Sequence, residues 1–180
     1  MSASVLTRFA WGCRWGWALA LVGLLVQGCS SGSDGGPPEV VRMDIEPGTC
    51  PNPLPCDADG TLVVAITGLW GGHADDFDPE SVLLEGVAPE RWSHQDVATP
   101  VWPEDGIVDD CVQDCGTDGA DGISDLVLEF DAETLVQALQ DQGFAFADDT
   151  CTAVRLTGRR TAEAGGDTFD AWDVIRPSCP

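Results

Sequence analysis

Short apolar runs separated by turn-forming residues are the feature that most constrains the fold. The runs at 61–67 (TLVVAIT) and 126–130 (LVLEF) are rich in aliphatic and β-branched residues, and Gly68 follows the first of them. The first run is continuous, and such a run is typical of a strand that is buried on both faces. The sequence therefore predicts a sheet of short strands, with residues 126–130 forming a central core strand.

Weaker strand patterns flank these two runs. They lie at residues 40–46, 81–85, 92–98, 151–158 and 169–175. A glycine-rich turn at 164–167 joins the last two, which predicts a closing hairpin. Residues 47–60 contain four prolines and two cysteines and are predicted to be irregular.

One short helix is expected among these strands. Asp131 is a good N-cap for residues 132–140, in which Leu135 and Leu139 share one face. About seven short strands and one inserted helix predict an all-β fold, an Ig-like β-sandwich. The chain of 180 residues is long enough for one such domain, which we place at residues 40–180.

The first 28 residues have the pattern of an export signal. Arg8 and Arg14 precede an apolar run that ends at Val26. This run is shorter than the roughly 20 residues that a transmembrane helix needs. Residues 1–28 are therefore predicted to be a signal peptide.

The end of this run, LVQGC, resembles the lipobox of bacterial lipoproteins, with an aliphatic residue three before Cys29 and a small residue just before it. That resemblance implies that diacylglycerol is attached to Cys29, that cleavage follows Gly28, and that the acyl chains hold the protein on a lipid bilayer. Ser30 follows the cysteine, and by the usual sorting rule this favours the outer membrane. Residues 29–39 then form a flexible tether. An ordinary secretory peptide with an incidental cysteine is the alternative.

The charge of the chain is strongly acidic. The formal net charge is −23, there is no lysine, and Arg8 and Arg14 belong to the leader, so the exported part is more acidic still. The electrostatic field of such a negative chain repels nucleic-acid phosphates and anionic lipid headgroups and favours cations or basic partners. Nucleic acid is therefore excluded as a partner, and the protein or glycan partner is left open.

Six cysteines follow Cys29: Cys50, Cys56, Cys111, Cys115, Cys151 and Cys179. An even number in an exported domain predicts three disulfides, and zinc binding is disfavoured because the spacings are not CxxC. Local spacing favours three pairs: Cys50 with Cys56, Cys111 with Cys115, and Cys151 with Cys179. The main alternative joins Cys50 to Cys151 or Cys179.

Residues 111–131 (CVQDCGTDGADGISDLVLEFD) combine an acidic, glycine-rich loop with the central strand. The carboxylates of Asp114, Asp118, Asp121 and Asp125 are candidate calcium ligands, because calcium takes six to eight oxygens and glycines let a loop bend around it. Asp121 and Asp125 match the second half of an EF-hand or dockerin loop. The first half departs from that pattern, since Thr117 stands where an acid or amide is expected. The sequence predicts an irregular calcium loop, with a plain hydrated acidic loop as the alternative.

Several sequence segments of the domain resemble a module of unassigned function that recurs in secreted and surface proteins of bacteria and archaea. The segments are DIEPGTCPNPL (44–54), LVVAITG (62–68), FDPESVLLEGVAPER (77–91), QDVATP (95–100), DGADGISDLVLEF (118–130) and LTG (156–158). The resemblance covers nearly all of the domain and implies an accessory β-sandwich outside the cytoplasm, with no catalytic residues. This chain departs at Glu46, where the module commonly has lysine, and Cys56 and Cys179 are additions.

No catalytic pattern stands out. A Ser-His-Asp triad would need His73 or His94 beside Ser81 or Ser93, and no motif such as GxSxG is present. The residues 73–78 are a weak candidate for a transition-metal loop. The predicted function is therefore a non-catalytic binding or structural domain, with no enzymatic activity. The alternatives are an extracytoplasmic hydrolase and a carbohydrate-binding module whose platform would be Trp70, Trp92 and Trp102.

Overall fold

Eight strands and one α-helix make up the described part of the chain. The computed structural model describes residues 39–68, 73–101, 108–146 and 150–179. The strands are β1 (Glu39–Ile45), β2 (Pro53–Pro55), β3 (Thr61–Ile66), β4 (Phe77–Leu84), β5 (Arg91–Gln95), β6 (Asp125–Asp131), β7 (Thr152–Arg160) and β8 (Thr168–Ser178). The helix α1 spans Ala132–Asp141 and follows β6 directly. Two single 3-10 turns, Ala74–Asp76 and Ala162–Ala164, precede β4 and β8.

All eight strands belong to one hydrogen-bonded sheet. Its order is β4-β7-β8-β1-β3-β6-β5, and β2 pairs with β8 off this path. β1 changes partner halfway along: residues 39–42 pair in parallel with β8, and residues 43–45 pair antiparallel with β3. The mostly β fold with one α-helix is confirmed. The sheet is nearly barrel-like and is not clearly the expected sandwich.

The core lies on the inner side of this sheet. Every apolar position of β6 is buried, and Phe130 is among the largest side chains with no exposed surface. Helix α1 adds Leu135 and Leu139, which share one face as expected. The N–H of Thr134 donates to Asp131 Oδ1 at 2.8 Å, so the predicted N-cap is confirmed.

One segment that was expected to be irregular contains a strand. β2 has the sequence Pro-Leu-Pro, and its prolines cannot donate to a ladder. Residues that flank β2 add hydrogen bonds to β8: the N–H of Arg176 donates to the carbonyl of Asn52, and the N–H of Cys56 donates to the carbonyl of Ser178. The prediction of irregular structure over 53–55 was therefore wrong.

The closing hairpin is confirmed. β7 and β8 pair antiparallel from Thr152 with Ile175 to Arg159 with Thr168. Gly165 lies in the turn with φ of 107°, a conformation that favours glycine. Within the described ranges, no helix has the length and apolar character needed to cross a membrane.

Candidate functional site

The acidic segment 108–124 is held to the body of the domain by two disulfides. Cys115 is bonded to Cys50, in the loop after β1, and Cys111 is bonded to Cys151, just before β7. A third bond joins Cys56, after β2, to Cys179, after β8. The prediction of three disulfides is confirmed.

The predicted pairing of these cysteines was wrong. β2 runs alongside the end of β8 and carries Cys56 away from Cys50, to a Cα–Cα distance of 5.2 Å from Cys179. The hairpin register pairs Thr152 with Ile175, so Cys179 lies beyond the reach of Cys151. Local spacing failed because these cysteines lie on separate elements that meet in space.

Asp125, a predicted calcium ligand, is fully buried and binds backbone groups. Its Oδ1 accepts from the N–H of Gly68 at 2.9 Å, and its Oδ2 accepts from the N–H groups of Val97 and Ala98 at 2.9 and 3.0 Å. One carboxylate therefore joins the chain after β3, the chain after β5 and the start of β6. Burial raises the pKa of Asp125, although these three hydrogen bonds oppose the shift.

The other three predicted ligands lie in different surroundings. Asp114 is half-buried, and its Oδ2 accepts from the N–H groups of Asp109 and Asp110. Asp121 is exposed and accepts from the N–H of Ile123, and Asp118 is exposed. Across residues 39–68, 73–101, 108–146 and 150–179, no group of three or more His, Cys, Asp or Glu side chains is placed to hold a metal ion. Calcium binding by the four carboxylates stays a prediction.

Asp96 holds the acidic loop against the end of β5, a role that the sequence did not indicate. Its two carboxylate oxygens accept from the N–H groups of Asp121 and Gly122, each at 2.9 Å. Thr99 adds a hydrogen bond from its hydroxyl to the carbonyl of Gly119 at 2.7 Å. The segment 119–122 is thus bonded to residues 96–99.

Gly68 is required by close packing at the same place. A Cβ at this position would lie 2.5 Å from Ile123 Cγ2 and 2.5 Å from the carbonyl oxygen of Ser124. Both distances are far shorter than van der Waals contact. The glycine therefore allows β3 to end directly beneath the acidic loop, in addition to ending the strand.

Two more buried carboxylates lie where β1 leaves β8. Asp173 Oδ2 accepts from the N–H of Ile45 at 2.7 Å and from Asn52 Nδ2 at 3.0 Å. The side chain of Asp173 thereby replaces the backbone partner that β8 no longer supplies to β1. Asp44, on β1, is buried as well, and neither its Oδ2 nor Asn52 Oδ1 has a hydrogen-bond partner among the described residues.

Burial raises the pKa of both carboxyl groups to about 7. For Asp44, the nearby charges of Asp173, Asp125 and Glu46 raise the pKa further. For Asp173, hydrogen bonds from Ile45, Val174 and Asn52 act in the opposite direction, and the charge of Asp114 raises the pKa slightly. An acid whose pKa is higher in the folded state binds more protons there than in the unfolded chain.

The domain should therefore be more stable at pH 5 than at pH 8. The free energy of unfolding should fall as the pH rises from about 4, the ordinary carboxyl pKa, to about 7, and should then level off. We expect a difference of more than about 1.4 kcal/mol, the equivalent of one pKa unit in one group. Urea denaturation at each pH measures it.

The matched variants for this test are Asp44→Asn and Glu163→Gln, the second at an exposed position. Asp44→Asn should flatten the pH dependence, because it removes one of the two groups that titrate near 7. Glu163→Gln should follow the parent. A parent curve that rises between pH 5 and pH 8 would contradict the assignment.

Among the candidate triad residues, His94 lies beside a carboxylate, and the two serines bond to groups other than a histidine. His94 Nδ1 lies 3.1 Å from Asp75 Oδ1, and the hydroxyl of Ser81 donates to the carbonyl of Asp78. Ser93 Oγ accepts from Gln95 Nε2. In the weak candidate for a transition-metal loop, the N–H of His73 donates to Asp76 Oδ2 at the start of the 3-10 turn.

Some predicted features lie outside the described residues. They are the signal peptide, Cys29, most of the tether, Trp70 and Trp102. Trp92, the third residue of the glycan platform in the alternative interpretation, lies on β5 and is 51% exposed.

Comparisons of this chain with protein-family models, curated proteins and solved structures found no match.

Proposed function

We propose that this chain is an exported lipoprotein, anchored in the outer membrane through Cys29, and that its domain is a non-catalytic binding or structural module. The observation that carries the proposal is the set of three disulfides. Disulfides form and persist in oxidising compartments, so they are consistent with a location outside the cytoplasm. The lipobox resemblance at Cys29 supplies the anchor.

The bonding of the acidic segment supports a structural role for it. Asp125, Asp96 and Asp114 accept hydrogen bonds from backbone N–H groups, and two disulfides connect the segment to other parts of the domain. These carboxylates therefore stabilise loops. The Ig-like description is part of the proposal, and it is supported by the change of partner in β1, which pairs with β8 over its first half and with β3 over its second half.

Replacing Cys29 by serine tests the anchor. Without its thiol the chain cannot accept diacylglycerol, so Cys29→Ser should move the protein from the membrane fraction to the soluble fraction. Immunoblots of fractionated cells measure the change. The matched control is Cys13→Ser, within the predicted leader, which should leave the membrane fraction unchanged. A Cys29→Ser protein retained on membranes to the same extent as the parent would contradict the proposal.

Calcium is proposed as a stabiliser of the acidic loop. With an extracellular-type dissociation constant of about 10⁻⁴ to 10⁻³ M, calcium at a hundredfold excess should stabilise the domain by about 2.7 kcal/mol. Thermal melts in calcium, chelator and magnesium at matched ionic strength measure this difference. Asp118→Asn with Asp121→Asn should abolish it, because both side chains are exposed acids of the loop. Equal melting temperatures in calcium and chelator would refute calcium binding.

A further inference from the structure

A shallow depression of about 400 Å³ lies on the outward face of β4, β7 and β8. Side chains alternate between the two faces of a strand, so every second residue of β7 and β8 points outward here. The hairpin register pairs three such positions across the two strands: Arg155 with Trp172, Thr157 with Asp170, and Arg159 with Thr168. The depression combines guanidinium groups, a carboxylate and hydroxyls, and Trp172 lies next to it as the cross-strand neighbour of Arg155.

Trp172 presents a large apolar surface beside these polar groups. It is 39% exposed, and its cross-strand neighbour Arg155 places its guanidinium carbon 5.7 Å from the centre of the indole ring. Tryptophan rings with polar neighbours are common where proteins bind ligands that have both an apolar face and hydrated polar groups.

Arg155 and Asp170 form a donor and acceptor pair next to that ring. Arg155 Nη2 lies 2.8 Å from each carboxylate oxygen of Asp170, and the two side chains are 45% and 14% exposed. The remaining N–H groups of Arg155 and the remaining lone pairs of Asp170 can bind further groups. Such a pair offers donors and acceptors close together, as two neighbouring hydroxyls of a sugar require.

Arg159 supplies a second set of donors. Its guanidinium makes no hydrogen bond or ion pair with the described residues, although the chain contains 31 acidic residues. The backbone N–H of Arg159 donates to Ser81 Oγ at 2.9 Å, which fixes the strand beneath it. The side chain is therefore available at the rim of the depression.

We propose that this face, formed by Trp172, Arg155, Asp170 and Arg159, binds a neutral glycan. The C–H face of a pyranose ring is apolar and stacks on an indole, while its hydroxyls both donate and accept hydrogen bonds. The net charge of −23 repels polyanions at long range, which favours an uncharged polymer. The volume is at the lower end of the range for ligand pockets and suits a few sugar units. This inference rests on the proposed role as a binding module and names its ligand class.

The test measures retention of the full exported protein, extracted from membranes in detergent, on insoluble polysaccharides. The probes are cellulose, chitin, xylan and mannan, with pectate as an acidic comparison. We expect retention on at least one neutral polymer. Trp172→Ala should weaken that binding about tenfold, equivalent to about 1.4 kcal/mol. Val112→Ala is the control, since it trims an exposed apolar side chain that lies outside this face and should change binding less than twofold.

Arg159→Gln is a second variant, which tests the inference if Trp172→Ala fails to fold. The guanidinium that it removes has no partner among the described residues, so the variant should fold like the parent. It should weaken retention severalfold without changing the melting temperature. The inference is overturned by no retention on any neutral polymer, by retention on pectate alone, or by unchanged binding in both variants. None of these outcomes bears on the anchor, which the Cys29→Ser fractionation tests separately.

Discussion

Replacing Asp125 by alanine is expected to destabilise the domain by at least about 3 kcal/mol. The change leaves the N–H groups of Gly68, Val97 and Ala98 without their acceptor in a buried place. Each buried donor that loses its partner costs about 1 to 3 kcal/mol. Asp125→Asn should cost less, about 1 to 3 kcal/mol, because its single carbonyl oxygen still serves one side of the cluster. Urea denaturation of the purified domain, in chelator, measures both values.

Asp96→Asn is the matched control for Asp125→Asn. Asp96 also accepts from two backbone N–H groups of the same region, but it is exposed, so water can replace the lost acceptor. We expect a loss of less than about 1 kcal/mol. Equal losses for Asp96→Asn and Asp125→Asn would show that Asp125 is not the buried acceptor that joins these three segments.

Removing the disulfide between Cys56 and Cys179 should have an effect of similar or greater size. This bond closes 123 residues, and the loop-entropy model gives about 4 to 5 kcal/mol for a loop of that length. The locally paired alternative, Cys50 with Cys56, would close only a few residues and contribute about 2 kcal/mol in the same model. Denaturant unfolding of Cys56→Ala with Cys179→Ala, compared with the parent, measures the loss.

The same double variant distinguishes the two pairings by its thiol content. With the bonds Cys50–Cys115 and Cys111–Cys151 in place, the variant has no free thiol among the remaining cysteines of the domain. With local pairs, Cys50 and Cys151 would both be left unpaired. Alkylation under denaturing, non-reducing conditions followed by mass spectrometry counts them. The control Cys50→Ala with Cys56→Ala should expose two thiols, those of Cys115 and Cys179.

The strands and the helix were predictable because they depend on local patterns. The apolar runs became β3 and β6, and Asp131 begins helix α1 as an N-cap should. The pairing of strands and cysteines was not predictable in the same way. β1 changes partner between β8 and β3, and no local pattern in residues 40–46 indicates which neighbours it meets.

The buried carboxylates show why the site was only partly predictable. Asp125 stood out in the sequence, but its position in an acidic, glycine-rich loop favoured a metal over backbone N–H groups as its partner. Asp44 and Asp173 each lie between apolar residues of a strand, and that placement is the one sequence signal of a buried acid. The surroundings of these two carboxyl groups depend on the divergence of β1 from β8, which only the assembled sheet shows.

Mass spectrometry of the N-terminal peptide decides whether the chain is an anchored lipoprotein. The protein is expressed in a bacterium with an outer membrane, extracted from the membrane fraction and digested with trypsin. We expect a first peptide that begins at Cys29 and ends at Arg42, with the mass of residues 29–42 plus diacylglycerol on the cysteine. An unmodified Cys29, or a chain that begins at any other residue, would contradict the proposed anchor.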